Sequence, residues 1–368
     1  MSSRFGQNSW YIILILVWAL ALASDSEASQ QLKEHMLPAA ATAKMVGRLP
    51  AAKRLRLTIG LPLRNQAELA TLLQDLYDPG SPAFRRFLTP QDFAARFGPG
   101  MESYESVAEF FKASGFTIVA THPNRVLLDV EAPAGDIERT LHLTLREYQH
   151  PQEARTFFAP DSEPRIDLDV PILRISGLDN YIVPHPASLH PEPIREGPGP
   201  VPKAGSGPNG TYMGKDFRAA YAPGVALSGA GQYVGLLQFD GYYPNDINVY
   251  ASRAGLTNVP LINVLLDGFD GSPGQGNVEV ALDIEVCMAM APGLAGIIVY
   301  EGLSGNDILN RMATDNLAKQ LSASWTYPTD ATTQTIFQQM AAQGQSYFNA
   351  SGDNGAYTGV VSTPADSL

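Results

Sequence analysis

Two acidic side chains, Glu279 and Asp283, stand four residues apart in the run Asn277-Val-Glu-Val-Ala-Leu-Asp-Ile-Glu-Val286. If the run is helical, that spacing puts both carboxylates on one face, and Glu285 on another. Like charges at this spacing repel by roughly 0.2–0.5 kcal/mol on an isolated helix, and a solvated acidic face is the plain structural reading. The rest of the run is apolar (Val278, Val280, Ala281, Leu282, Ile284, Val286), and a helix apolar almost all round is buried. Buried carboxylates four apart share a proton, which makes one of them a base usable in acid. A further candidate is Asp353, in Ser351-Gly-Asp-Asn-Gly355 directly after the strand-like Tyr347 to Ala350. Active sites form at such strand ends in parallel sheets, although the same residue types make ordinary turns.

The histidines set a limit on the chemistry. All six precede residue 191, so the C-terminal half can hold neither a Ser-His-Asp triad nor an H-E-x-x-H zinc site. A hydrolase built there must use carboxylates as its bases. The single cysteine, Cys287, excludes an intramolecular disulfide and reads as a small core residue. Gly229-Ala-Gly231 precedes a strand, the wrong order for a dinucleotide loop, and Asp267 with Asp270 does not follow EF-hand spacing.

The elements that must position these residues fall into regions. Arg4, the apolar Tyr11 to Ala23 and Ala21-Leu-Ala23 read as a cleaved export signal over residues 1–23, too short to span a bilayer. Residues 31–183 alternate as β-α-α-β-β-α-β, with a closing strand at Thr144 to Tyr148, which predicts a small α+β domain of ferredoxin-like arrangement. Residues 184–210 are rich in proline and glycine and read as an exposed linker where proteases cut. From residue 211 to 368, short apolar strands alternate with helices, which predicts βαβ units and a parallel sheet.

These residues together resemble the sedolisin family, the serine-carboxyl peptidases, and within it the kumamolisin-like members with an activation prodomain. The resemblance is carried by Phe84-Arg-Arg-Phe-Leu-Thr-Pro-Gln-Asp-Phe-Ala-Ala-Arg-Phe-Gly-Pro99, Thr140 to Tyr148 and Gly177-Leu-Asp179 in the N-terminal region. In the C-terminal region it is carried by Glu279-x-x-x-Asp283, Ala291-Pro-Gly293, Ser324-Trp325 and Ser351-Gly-Asp353-x-Gly355. It implies a subtilisin-like α/β fold behind a prodomain that acts as an intramolecular inhibitor. It also implies Glu279 as general base, Asp283 as the carboxylate orienting it, and Asp353 in the oxyanion hole. The family's nucleophile lies in a Gly-Thr-Ser motif downstream; here only Ser362 and Ser367 follow Asp353, without that context, so the resemblance implies a peptidase domain that this chain carries only in part. The implied calcium site falls beyond Leu368, and the strand end that often carries a Glu behind the base reads Gln238.

With 45% hydrophobic and 17% charged residues, the 368-residue chain is neither disordered nor a coiled coil, and a formal net charge of -12 argues against nucleic-acid or anionic-membrane partners. Nineteen of its 25 Lys and Arg fall in residues 31–203. That asymmetry predicts a prodomain whose bases pair with carboxylates of the C-terminal half at neutral pH and let go in acid. The expected protein is thus a secreted, acid-acting endopeptidase zymogen whose substrates are proteins or peptides. The alternatives are a non-catalytic binding relative of the same fold, and a glycosidase pair made of Glu279 and Asp283.

Overall fold

A computed structural model describes residues 29–187, 205–257 and 259–352. The export signal, most of the Pro/Gly-rich run and Asp353 lie outside the described residues.

The N-terminal part places β1 (Met45–Arg48), β2 (Arg54–Gly60), α1 (Gln66–Tyr77), α2 (Pro90–Arg96) and α3 (Met101–Ala113) ahead of β3 (Thr117–Thr121) and β4 (Leu127–Pro133). Then come α4 (Ala134–Leu141), β5 (Leu145–Gln149), β6 (Thr156–Pro160) and β7 (Arg174–Ser176). Helix α1 buries Leu69 and Leu76, and α2 starts on a reciprocal Thr89–Asp92 capping box. Four strands form an antiparallel sheet in the order β3-β4-β2-β7, the ferredoxin-like order. Its fourth strand is β7. The segment expected to close the sheet, 144–148, instead pairs as β5 between β1 and β6 in a second sheet, because β6 follows it directly as a hairpin partner.

The C-terminal part contains β8 (Tyr233–Gln238), α5 (Pro244–Ala254), β9 (Leu261–Leu265), α6 (Asn277–Met290) and β10 (Gly296–Glu301). It continues with α7 (Gly305–Asp315), β11 (Gln320–Ala323), α8 (Ala331–Ala342) and β12 (Ser346–Asn349). The five strands are parallel in the order β9-β10-β8-β11-β12, and β10 is buried along its whole length. Side chains alternate along a strand. On β8, Gly235 meets Met312 of α7 and Leu321, whereas Gln238, three residues on, reaches α6 on the other face. The crossovers through α6, α7 and α8 all step across the sheet in one direction, yet α6 lies on the opposite face from α7. The α6 connection therefore has the opposite hand from the α7 connection. Parallel crossovers are right-handed in about 98% of cases, so the α6 crossover is the exceptional left-handed one.

The two parts share a core. Leu63, Leu69, Leu76, Phe93, Phe97, Val126 and Leu127 pack in one cluster with Ile308, Leu309 and Met312 of α7 and Ile336 and Met340 of α8. The four-stranded sheet leans on the same two helices. Gly60 of β2 is so close to Thr332 that an added Cβ would come within 2.1 Å of its hydroxyl, and Ser176 donates to Asp330, the N-cap of α8.

Candidate active site

The carboxyl end of β8 and the residue just after β11 reach the inner face of α6. Glu279 and Asp283 do lie on one face of this helix, and Glu279 is buried at 8% exposure. The helix is not buried all round, as its composition suggested: Val278, Leu282 and Val286 are exposed, while the carboxylates face inward. The inner side of α6 thus carries the carboxylates together with the buried Val280, Ile284, Met288 and Ala289. Cys287 sits on it as a half-buried free thiol packed against the core, and desolvation pushes its pKa up to about 12, so it is an inert packing residue.

Asp283 is held at both oxygens. Gln238 donates its amide N–H to Oδ2 at 2.8 Å, and Ser324 donates its hydroxyl to Oδ1 at 2.7 Å. The Trp325 indole N–H donates to Gln238 Oε1 at 2.6 Å. An indole can only donate, so the Gln238 oxygen must face it and the amide nitrogen must face Asp283. A glutamine in this place keeps that orientation at every pH. Burial raises the Asp283 pKa above its ordinary value, against the two hydrogen bonds, so the group favours its proton.

The loop that delivers α6 is tied to the strand end. Asp240 accepts from the backbone N–H groups of Gly241, Gly274 and Gly276 at 2.8, 2.6 and 2.6 Å. A Cβ at Gly276 would come within 2.6 Å of the Trp325 ring, so only glycine lets the chain turn into the helix there.

The chain leaving the N-terminal part enters the same place. His185 and Pro186 pair antiparallel with Thr326 and Trp325, and the Ala187 N–H donates to the Ser324 carbonyl at 2.9 Å. An extended segment of the protein's own chain thus adds a strand beside Ser324, which holds Asp283, and Trp325, which holds Gln238.

The pro-kumamolisin activation domain family matches residues 41–181. Xanthomonalisin of Xanthomonas sp. (strain T-22) is 30% identical over 84% of this chain and 40% of its own length. Sedolisin of Pseudomonas sp. (strain 101) is 26% identical over 91% of this chain and 60% of its own. The chain belongs to the sedolisin family. It spans roughly half the length of these curated relatives. A solved structure of Pseudomonas sedolisin covers 37% of this chain and 43% of its own, at 25% identity and a TM-score of 0.34.

Of the residues the sequence singled out as a site, Glu279 and Asp283 share the inner face of α6, and the fold sets Gln238 and Ser324, a landmark of the resemblance, against Asp283. Asp353 follows β12 but lies outside the described residues. Two acids were missed. Glu301, at the buried carboxyl end of β10, was legible as the one acid closing Gly-Ile-Ile-Val-Tyr-Glu. Asp307 was not legible, because its partners come from the other end of the chain.

Those partners gather around Asp307 of α7 in a second acidic cluster. Arg56 of β2 lies 2.9 Å from Asp267, 3.2 Å from Asp307 and 3.4 Å from Asp129. His122 Nε2 sits 2.9 Å from Asp129, and its Nδ1 lies 2.9 Å from the Asn310 amide nitrogen. His122, Asp129 and Asp307 could converge on a metal ion, but calcium takes oxygen ligands, and this cluster offers a ring nitrogen with the Arg56 cation already against its carboxylates. The cluster does not fit the calcium that the resemblance implies. The described bases otherwise pair mostly within the N-terminal part (Arg48–Glu138, Arg54–Glu131, Arg96–Glu68, Arg146–Asp161), which narrows the expected charge latch to Arg56.

Proposed function

We propose that the chain is the zymogen of an exported, acid-acting serine-type endopeptidase that cuts proteins or peptides by acyl transfer. The observation that carries this reading is the protein's own segment 185–187 laid as a strand along Ser324–Thr326, beside the Asp283 that shares a helix face with the buried Glu279. A peptide substrate would dock the same way, by main-chain hydrogen bonds to the strand edge.

In this mechanism a serine hydroxyl attacks the peptide carbonyl, and its proton passes to Glu279 as general base. Asp283 orients Glu279, and is itself fixed by Gln238 and Ser324. Asp353 donates to the oxyanion, which it can do only while it carries its proton. A histidine base would be protonated below about pH 5, whereas a carboxylate pair still offers an acceptor there. The domain of residues 41–181 holds the site closed until acid loosens it. Cutting then falls in residues 184–210. Export rests on the Ala21-Leu-Ala23 signal; among the described residues no helix is long and apolar enough to cross a membrane.

The test takes the protein expressed from its own gene from pH 7 to pH 3.5 and maps new termini by mass spectrometry. Cuts should appear within 184–210, be blocked by a peptide aldehyde, and be lost by roughly 10²–10⁴ in rate in Glu279→Ala. Unaltered processing in that variant would remove Glu279 as the base.

A further inference from the structure

Glu301 ends the fully buried strand β10, is wholly inaccessible, and neither of its carboxylate oxygens has a hydrogen-bond partner among the described residues. Register sets it between Gln238 on β8 and Leu265 on β9, in the same layer as the residue that fixes Asp283. Its roof is the loop 266–276. Gly271, at φ +78, lies so near that a Cβ would come within 3.3 Å of Glu301 Oε2. The far end of this loop is the stretch that Asp240 holds through the Gly274 and Gly276 amides, and Gly276 immediately precedes α6. How the loop sits over Glu301 therefore sets where α6 begins, and Glu279 is in its first turn.

Among the described residues, the charged and titratable groups around Glu301 do not supply a counter-ion. Asp240 adds a second carboxylate, and Tyr242 spends its hydroxyl on Asn263. On the loop, Asp267 is turned to Arg56 and to the Leu303 and Ser304 amides, and Asp270 accepts from the Ser272 amide. A buried carboxylate without donors is costly as an anion and far cheaper as a neutral acid. Burial first, and the Asp240 charge second, push the Glu301 pKa up to about 7. Once ionised, the group must reach water, and the Gly271 loop stands in the way.

We propose that Glu301 is a positioning residue: protonated, it lets the loop 266–276 close and fix the start of α6, and ionised, it lifts that loop and loosens Glu279. This is an upper pH limit built into the scaffold, separate from the titration of Asp353. It rests on the peptidase reading only for what the loosening costs; the loop motion does not.

Hydrogen exchange of the full chain tests it, read by mass spectrometry on peptides covering 268–282 and normalised to the intrinsic rate at each pH. Protection of that stretch should fall at least about tenfold between pH 5 and pH 8 in the native protein. In Glu301→Gln, which keeps the shape and removes the titration, protection should persist at pH 8. Glu301→Met, similar in size and without polar atoms, should persist likewise, and guards against a Gln variant that does not fold. Loss of protection in both variants as in the native protein, or no loss in the native protein, overturns the proposal. Because exchange is read rather than cleavage, the sensor and the peptidase reading can fail independently.

Discussion

Asp283, half-buried in the site, and Asp129, fully buried in the interface between the two parts, are both carboxylates held by side-chain hydrogen bonds, and their pKa values move in opposite directions. At Asp283 the donors are neutral, Gln238 and Ser324, and desolvation wins. At Asp129 burial also pushes upward, but hydrogen bonds from His122 and Thr58 and the Arg56 charge outweigh it and hold the group below its ordinary value. Neutral donors soften the cost of a buried charge, and a cation removes it. Arg56 serves three carboxylates and cannot neutralise all of them. Asp307 is the one left over: burial and then the charges of Asp129 and Asp267 raise it well above its ordinary value. The site is thus arranged to keep its proton in acid, whereas the interface is arranged to be ionic at neutral pH.

The sharpest way to break this comparison is Asp283→Asn. The amide turns one oxygen into an N–H group that must face either Gln238 or Ser324, both of them donors in the native arrangement. Self-processing at pH 3.5 should fall by roughly 10²-fold or more, within the range a misplaced base costs. Rates equal to the native protein would mean that Asp283 is a buried structural acid and nothing more.

A smaller effect is expected from Arg56→Met at the interface. Removing one partner of a fully buried pair costs 3–5 kcal/mol, and since Arg56 keeps 29% of its side-chain surface exposed, about 2 kcal/mol is expected at pH 7. The pH dependence follows from the two shifts. Asp129 has a folded pKa below its unfolded value, so its contribution is present above about pH 4 and is lost as pH falls through the lowered value. Asp307 is raised, so its ionisation costs stability only above about pH 4, and losing Arg56 makes that cost larger. Both push the penalty of the variant toward neutral pH. Thermal melts at pH 7 and pH 3 should show it shrinking in acid. A penalty equal at both pH values would assign the interface to its apolar contacts and end the charge-latch reading.

The smallest effect sharpens the rule that burial without a cation raises a carboxyl. Glu285, on another side of α6, is pushed up to about 7 by burial and then by the Asp246 charge. A raised folded value means stability is lost as pH climbs from about 4 to 7. Glu285→Gln should therefore raise the melting temperature at pH 8 by about 1–3 °C and leave it unchanged at pH 4. An equal change at both would show that the side chain acts through packing.

Much of the site could be read from the chain alone because its parts are local. The four-residue spacing of Glu279 and Asp283, the Ser324-Trp325 pair and the alternation of strands with helices after residue 211 are all short-range patterns, and short-range patterns survive without a fold. The four-stranded order of the N-terminal sheet was half legible. The hairpin from β3 to β4 follows from adjacent strands, but the fourth place went to β7 rather than to 144–148, since register between distant strands is settled by which edge is free.

Composition and spacing determined that a histidine-free C-terminal half with paired carboxylates on an apolar helix must do any acid–base work through those carboxylates. Tertiary structure decided the rest. It turned the carboxylates inward and left Val278, Leu282 and Val286 outside, a polarity no periodicity predicts, because the left-handed crossover presents that face of α6 to the strand ends. It brought Gln238, 45 residues away, to Asp283, and Arg56 to Asp307 across 251 residues. It also buried Glu301 without a hydrogen-bond partner among the described residues. A pKa is set by what surrounds a group in space, and along the chain those neighbours are arbitrarily far apart.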